Sequence, residues 1–185
     1  MTLDLSAVDL PTETLHTERL VLRPYRPDDV DAVHRACQDP AIQRWLPMVP
    51  VPYTEEDART FVEEVALAER ATGSVLSCAV EAGGSFAGTA ALRLGTGELG
   101  PAVGYWIAPE ARGRGYAAEA AHALAEWALG LGAPRVHLFA EVGNIASQAT
   151  ARRAGFREEG IVRACLPARD GGRADAVLFG RVTGD

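Results

Sequence analysis

Between Ile107 and Gly132 the chain reads IAPEARGRGYAAEAAHALAEWALGLG, and the run Arg112-Gly113-Arg114-Gly115 stands where a helix begins. A helix N-terminus carries unpaired N–H groups and about half a positive charge, and it normally attracts Asp, Ser, Thr or Asn. Here it meets two cations, two glycines and no capping side chain. An anion would reconcile them. Gly113 and Gly115 let the backbone turn tightly and a ligand approach closely. The N–H groups of Gly113, Arg114, Gly115, Tyr116 and Ala117 can then converge on a phosphate or pyrophosphate flanked by Arg112 and Arg114. The alternative is a hydrated Arg/Gly-rich surface turn. A Walker loop is excluded, because Gly-Lys-Ser/Thr is absent. Gly113-x-Gly115-x-x-Ala118, with Glu141 after the next strand, also fits a dinucleotide fingerprint. That fingerprint usually follows the first strand of its fold, whereas four predicted strands and two helices precede it here.

A second constellation, NIASQATARRAGF, follows at 144–156. Asn144 can cap a short helix or turn its amide to a ligand in the cleft between strands 98–108 and 135–142. Ser147, one turn on, can present a hydroxyl to the same cleft, or both can be local caps.

The elements that must position these residues follow from hydrophobic periodicity. Strands are predicted at 18–25, 74–82, 84–94, 98–108, 135–142, 156–166 and 173–182, with Gly83-Gly84 as a hairpin turn. Helices are predicted at 27–37, 54–70, 117–131 and 144–155. In the second, Thr54 caps and Ala58, Phe61, Val65 and Leu67 or Ala68 face the core. In the third, apolar residues at 117, 120, 121, 124, 127, 128 and 131 form one face. The proline-rich stretch 45–53 cannot be regular helix or central strand. Residues 1–16 read as a loose arm, and 17–185 as one domain of helices on a mixed sheet.

The 185 residues, 48% hydrophobic, suffice for one full core. A net charge of −7 argues against nucleic acid as a partner. No apolar run approaches a membrane span, and the first fifteen residues lack the basic and apolar regions of a signal peptide. Cys37, Cys78 and Cys165 lack metal-ligand spacing and suit reduced thiols. No metal is expected, and a cytoplasmic protein is.

Arg112-x-x-Gly115-x-Ala117, taken with Asn144 and Ser147, resembles the acyl-CoA loop and cleft of the GNAT acetyltransferase superfamily. TERLVLRPYRPDDVDAV, GYWIAPEARGRGYAAEA, NIAS with AGF, and EEGIVR with GGRADAVLF resemble its RimJ/RimL branch, in order across 17–180. The resemblance implies an α/β (α+β) fold with about four helices and a seven-stranded mixed sheet. That sheet splays between its fourth and fifth strands, here 98–108 and 135–142. It implies acetyl-CoA in the split, its pyrophosphate on the N–H groups of residues 113–117 and its pantetheine arm against the backbone of Trp106 and Ile107. Asn144 would bond that arm, and Arg152 and Arg153 are candidates for the outer phosphate, or solvated.

Family members often use a tyrosine as acid for the thiolate where this chain has Ala151, and an acid on the fourth strand where it has Ala102. Ser147 is the substitute for the first, as in the RimJ/RimL branch. Glu98, Glu141 or a water chain remains for the base. Trp45, Tyr53, Tyr105 and Trp106 are the candidate acceptor pocket. His34, His122 and His137 read as structural. The implied activity is acetyl transfer to a primary amine, either a protein N-terminus or a small molecule, by a monomer or homodimer. The alternatives are a catalytically impaired acyl-CoA sensor and, remotely, a dinucleotide oxidoreductase.

Overall fold

A computed structural model describes residues 3–95 and 97–185. Eight strands form one sheet: β1 (Leu15–His16), β2 (Leu20–Arg23), β3 (Val75–Ala82), β4 (Ser85–Arg93), β5 (Ala102–Ile107), β6 (Arg135–Glu141), β7 (Arg157–Pro167) and β8 (Arg173–Val182). Their order is β1-β2-β3-β4-β5-β6-β8-β7, with every neighbouring pair antiparallel except β5 and β6. A largely antiparallel sheet is not a doubly wound nucleotide fold, so the dinucleotide spacing of residues 113–118 is fortuitous.

The strand beyond the expected seven is β1, which belongs to the N-terminal arm. That arm is not loose. Leu3, Leu5, Val8 and Leu10 pack into the core, Asp4 N–H donates to Leu131 O (2.8 Å), and the Arg70 guanidinium donates to Glu13 O. Its mixed apolar spacing has no period because it packs as turns.

The two sheet faces carry different helices. On one face, α5 (Tyr116–Gly130) and α6 (Ile145–Arg153) close a core with Leu22, Val80, Leu92, Val136 and Phe179. Ala120, Ala121, Leu124, Ala125 and Ala128 form the buried stripe of α5. On the other face lie α1 (Val30–Cys37), α2 (Pro40–Trp45), α3 (Glu55–Thr60), a π-helical turn (Phe61–Val65) and α4 (Ala66–Ala71).

Helix 55–71 buries Ala58, Val62 and Ala66, while Val65 and Leu67 are 42% and 43% exposed. The π turn, with Ala66 N–H bonded to Phe61 O, inserts one residue and rotates the face. Helix α2, absent from the predicted helices, ends at Trp45, where the proline-rich stretch begins without helix or strand. Pro40 occupies its first turn, where a missing N–H costs nothing, and Asp39 Oδ1 caps it from Ile42 N–H (2.9 Å). No described helix is long and apolar enough to cross a membrane.

β5 and β6 meet at a single described register pair, Ala102 with His137, closed by His137 N–H donating to Pro101 O (2.9 Å). Beyond that pair they diverge. β6 stays fully paired with β8, and β5 with β4. The result is a fork, closed at Ala102 and open toward Ile107 and Glu141.

Candidate functional site

At the open end, α5 begins immediately after β5 and a tight turn. Gly115 is its N-cap at φ +81°, Gly113 sits at φ +76°, and no side chain caps the helix. The first bond of α5 is Glu119 N–H to Gly115 O (3.1 Å). Among the described residues, no protein group accepts from the N–H groups of 113–118. A row of unpartnered donors at the positive end of a fifteen-residue helix can receive an anion.

The arginines around this row have different tasks. Arg112 does not stand free beside an anion. Its Nη2 pairs with Asp39 (2.6 Å) and its Nε donates to Ile107 O (3.1 Å), tying the turn to α2. The same guanidinium holds the Asp39 carboxyl below the usual aspartate range. Arg114 is exposed, and its carbonyl accepts from Arg19 Nη1 (2.9 Å). Arg19 also bonds Glu119 through Nε (2.7 Å) and lies over the Tyr116 ring (5.2 Å). Thr17 Oγ1 donates to the same carboxylate (2.6 Å). Partial burial pushes the Glu119 carboxyl up, but the bonds from Thr17 and Arg19 outweigh that and leave it below the usual glutamate range.

The β5 edge facing the gap is defined by strand alternation. Ala108 N–H donates to Ala87 O on β4 (2.9 Å), whereas Pro101 O faces His137 on β6. Residues 103, 105 and 107 therefore turn their backbone to the gap, while 102, 104 and 106 turn theirs to β4. The Ile107 backbone lies at that edge, with its carbonyl already engaged by Arg112. The Trp106 backbone does not, because its carbonyl lies against Gly88 of β4. Tyr105 takes its place at the edge. The Trp106 ring packs on Phe86 on the α1–α4 side (centroids 5.9 Å apart).

Tyr105 points to the opposite face and crosses to α6. Its hydroxyl lies 3.1 Å from Ser147 Oγ and 3.1 Å from Ser147 O. Burial pushes this hydroxyl up to about 12, with the Ser147 bond opposing. Asn144 caps α6 by accepting from Ser147 N–H (3.0 Å), so its Oδ1 is taken while its NH₂ makes no bond among the described residues. Ala151, one turn beyond Ser147, is fully buried. A phenol thus reaches this helix from β5 rather than from the helix itself.

Across the fork, Val136, Leu138 and Ala140 face the α5 core, so Glu141 faces the α2 side. Four residues beyond the Ala102–His137 pair, it stands level with Trp106. A cavity of about 390 Å³ opens beside it, lined by Arg44, Glu141, Ala168, Arg169 and Asp170. The Trp45 ring lies next to this cavity, against Gly143 and under the Arg44 guanidinium (5.1 Å). Arg169, on the β7–β8 turn, binds Gln43 O (2.6 Å), Leu46 O (2.8 Å) and Val49 O (2.7 Å), holding the end of α2 and its loop.

Three candidates lie elsewhere. Tyr53 is 7% exposed, stacked on His34 and packed with Cys37, because the proline-rich loop turns it inward under α1. Glu98 lies in the turn Gly97–Leu99, before the closed end of the fork. At about 3.3 Å per residue, Ala102 to Ile107 alone spans ~17 Å, so Glu98 does not reach the open end. Arg152 pairs with Glu158 (2.6 Å) over the Phe179 ring.

Arg19, Asp39 and Arg169 escaped notice in the sequence. Only Asp39 had a local signal, the Asp-Pro pair of a capped helix start. The partners of Arg19 and Arg169 are about a hundred residues away.

Residues 19–157 match the family described as acetyltransferase (GNAT) domain. The chain is similar to the uncharacterized N-acetyltransferase YnaD of Bacillus subtilis, with 26% identity over 82% of this chain and 86% of that protein. Among solved structures, it resembles Mycobacterium smegmatis RimJ in complex with CoA-disulfide (25% identity, TM-score 0.78, covering 89% of this chain and 82% of that one). It also shares the fold of a proposed ribosomal-protein-serine acetyltransferase from Vibrio cholerae (21% identity, TM-score 0.79, covering 98% and 99%).

Proposed function

The chain belongs to the acetyltransferase (GNAT) family, and we propose that it moves an acetyl group from acetyl-CoA to a primary amine. One observation carries this reading: two unpartnered backbone surfaces adjoin at the open end of the fork. The N–H row of residues 113–118 suits a pyrophosphate. The edge at Val103, Tyr105 and Ile107 suits an amide-bearing arm that adds to β5 as a strand would, and the Asn144 NH₂ is a further donor on the far wall. The CoA complex of the RimJ relative supports the same assignment.

Acetyl-CoA supplies an acetyl thioester. An edge N–H at Tyr105 or Ile107 serves as the donor that steadies charge growing on a carbonyl oxygen. Ser147, hydrogen-bonded to Tyr105, serves as the proton source for sulfur, and a thiol of pKa about 8.5 asks only modest help. The acceptor enters from the α2 side, and either a protein N-terminus or a small-molecule amine suits an opening of this kind. A cytoplasmic enzyme, monomeric or homodimeric, is the setting we propose. Ala102, in place of an acid on β5, favours a second reading, an acyl-CoA binder without turnover.

Calorimetric titration with acetyl-CoA and thiol release over an amine panel test both readings. Binding with amine-dependent release is expected, and binding without release on any amine selects the second. Gly115→Val places a β-branched residue at a left-handed φ and a side chain beside the N–H row. At least tenfold weaker acetyl-CoA binding is expected with the fold retained by circular dichroism. Unchanged affinity refutes the phosphate cradle.

A further inference from the structure

The charged cavity at the fork's open end has two ionic side chains held by no backbone group among the described residues. Of its four ionic lining residues, Arg169 is committed to three loop carbonyls, and Asp170 Oδ1 accepts from Gly172 N–H (2.9 Å) in the β7–β8 turn. Arg44 and Glu141 remain. They touch each other at only 4.0 Å, with the Arg44 side chain 66% exposed. Such a loose, solvated pair contributes ~1 kcal/mol or less, so a ligand's own charges can enter between them at little cost. Trp45 offers an apolar wall beside Arg44. Glu141 stands level with Trp106 across the fork, on the face opposite Tyr105 and Ser147.

We infer that this cavity is the acceptor site, and that its acceptor is an amine bearing an anionic group within a few bonds of the nitrogen. The inference rests on the acetyltransferase reading above. Glu141 receives the nitrogen and Arg44 the anion, and the remainder of an apolar acceptor lies along Trp45. A polyamine is the poorer acceptor, because it brings no anion for Arg44 to receive. In the transfer, the ammonium first gives a proton through Glu141 to solvent. The neutral nitrogen then forms the N–C bond as the C–S bond breaks. Its second proton leaves by the same carboxylate, and sulfur takes one from the Ser147 hydroxyl, which solvent restores.

The same chemistry occurs in a free amino acid and in a peptide whose first residue is acidic, so the test uses two matched pairs. These are L-methionine against L-methioninamide, and a tetrapeptide beginning with Asp against one beginning with Asn. Each probe is titrated calorimetrically into CoA-saturated protein and assayed for thiol release from acetyl-CoA. At least a tenfold preference for the carboxylate member of one pair, in Kd and in kcat/KM, is expected, and the pair that shows it names the source. Arg44→Ala should erase that preference. Glu141→Gln should lower kcat at least tenfold while acetyl-CoA affinity stays within twofold. Equal or reversed preference, spermidine as the better acceptor, preference surviving Arg44→Ala, or Glu141→Gln within twofold of wild type each overturns the inference. Failure of the wild-type protein to bind acetyl-CoA fells the underlying reading and this inference with it. Binding with turnover but without the preference fells this inference alone.

Discussion

Arg19 donates from Nη1 to the carbonyl of Arg114 at 2.9 Å, fixing the glycine turn ahead of α5 from the start of β2. The same guanidinium grips Glu119 in the first turn of α5. One side chain therefore spans both sides of Gly115 and sets the direction in which the N–H row points. An anion site built from backbone donors depends on that direction, because the donors cannot reorient as side chains do.

Arg19→Ala should raise the KM for acetyl-CoA about tenfold, with kcat within twofold, since a hydrogen bond to a charged group contributes ~1.5 kcal/mol or more. Arg19→Lys should recover only part of this, because one ammonium lacks the planar fork that serves Glu119 and the Arg114 carbonyl together. Steady-state kinetics beside thermal melts check it. A KM within twofold of wild type in the alanine variant sinks the assignment.

Ser147 and Tyr105 form one hydroxyl pair and should behave as a unit. Ser147→Ala is expected to cut kcat roughly tenfold, as is Tyr105→Phe, and the double variant little further, since removing either breaks the same relay. If Ser147→Ala keeps kcat within about twofold, the serine has no role at the sulfur.

Arg169 holds three carbonyls at the end of α2 and should affect the acceptor without affecting the donor. Arg169→Ala is expected to cost about 1–3 kcal/mol of stability and to raise the acceptor KM severalfold. Calorimetric affinity for acetyl-CoA should stay unchanged. A parallel loss of acetyl-CoA binding would mean that the loop serves the whole cleft.

Burial raises the hydroxyls of Tyr25 and Tyr53, and pushes that of Tyr105 to about 12. An unfolded tyrosine ionises near pH 10, so above that pH the unfolded chain binds fewer protons than the native one. The tyrosine contribution is therefore present in full below pH 10 and is lost as pH rises toward 12. Urea midpoints should fall progressively from pH 9.5 to 11.5, with phenolate absorbance lagging until unfolding. A flat midpoint over that range contradicts the burial.

Much of this protein was legible in its sequence because it is local. The Arg-Gly-Arg-Gly run with no cap announces unpartnered donors at α5 wherever the helix lies. The alternation of residues 74–108 gives three strands with one glycine hairpin, and residues 144–147 give a capped turn of helix. Each depends on contacts within a few residues, and periodicity reports those directly.

Tertiary structure decided the rest, because the deciding contacts join distant segments. Whether Arg112 would meet an anion or a carboxylate depended on Asp39, the cap of a six-residue helix too short for periodicity to reveal. The Trp106 backbone lost its place at the edge to Tyr105 by strand register, in which a shift of one residue exchanges every role. Glu98 and Glu141 are equally acidic in sequence, but a fork closed at Ala102 and open at Ile107 separates one from the cleft and places the other at its mouth.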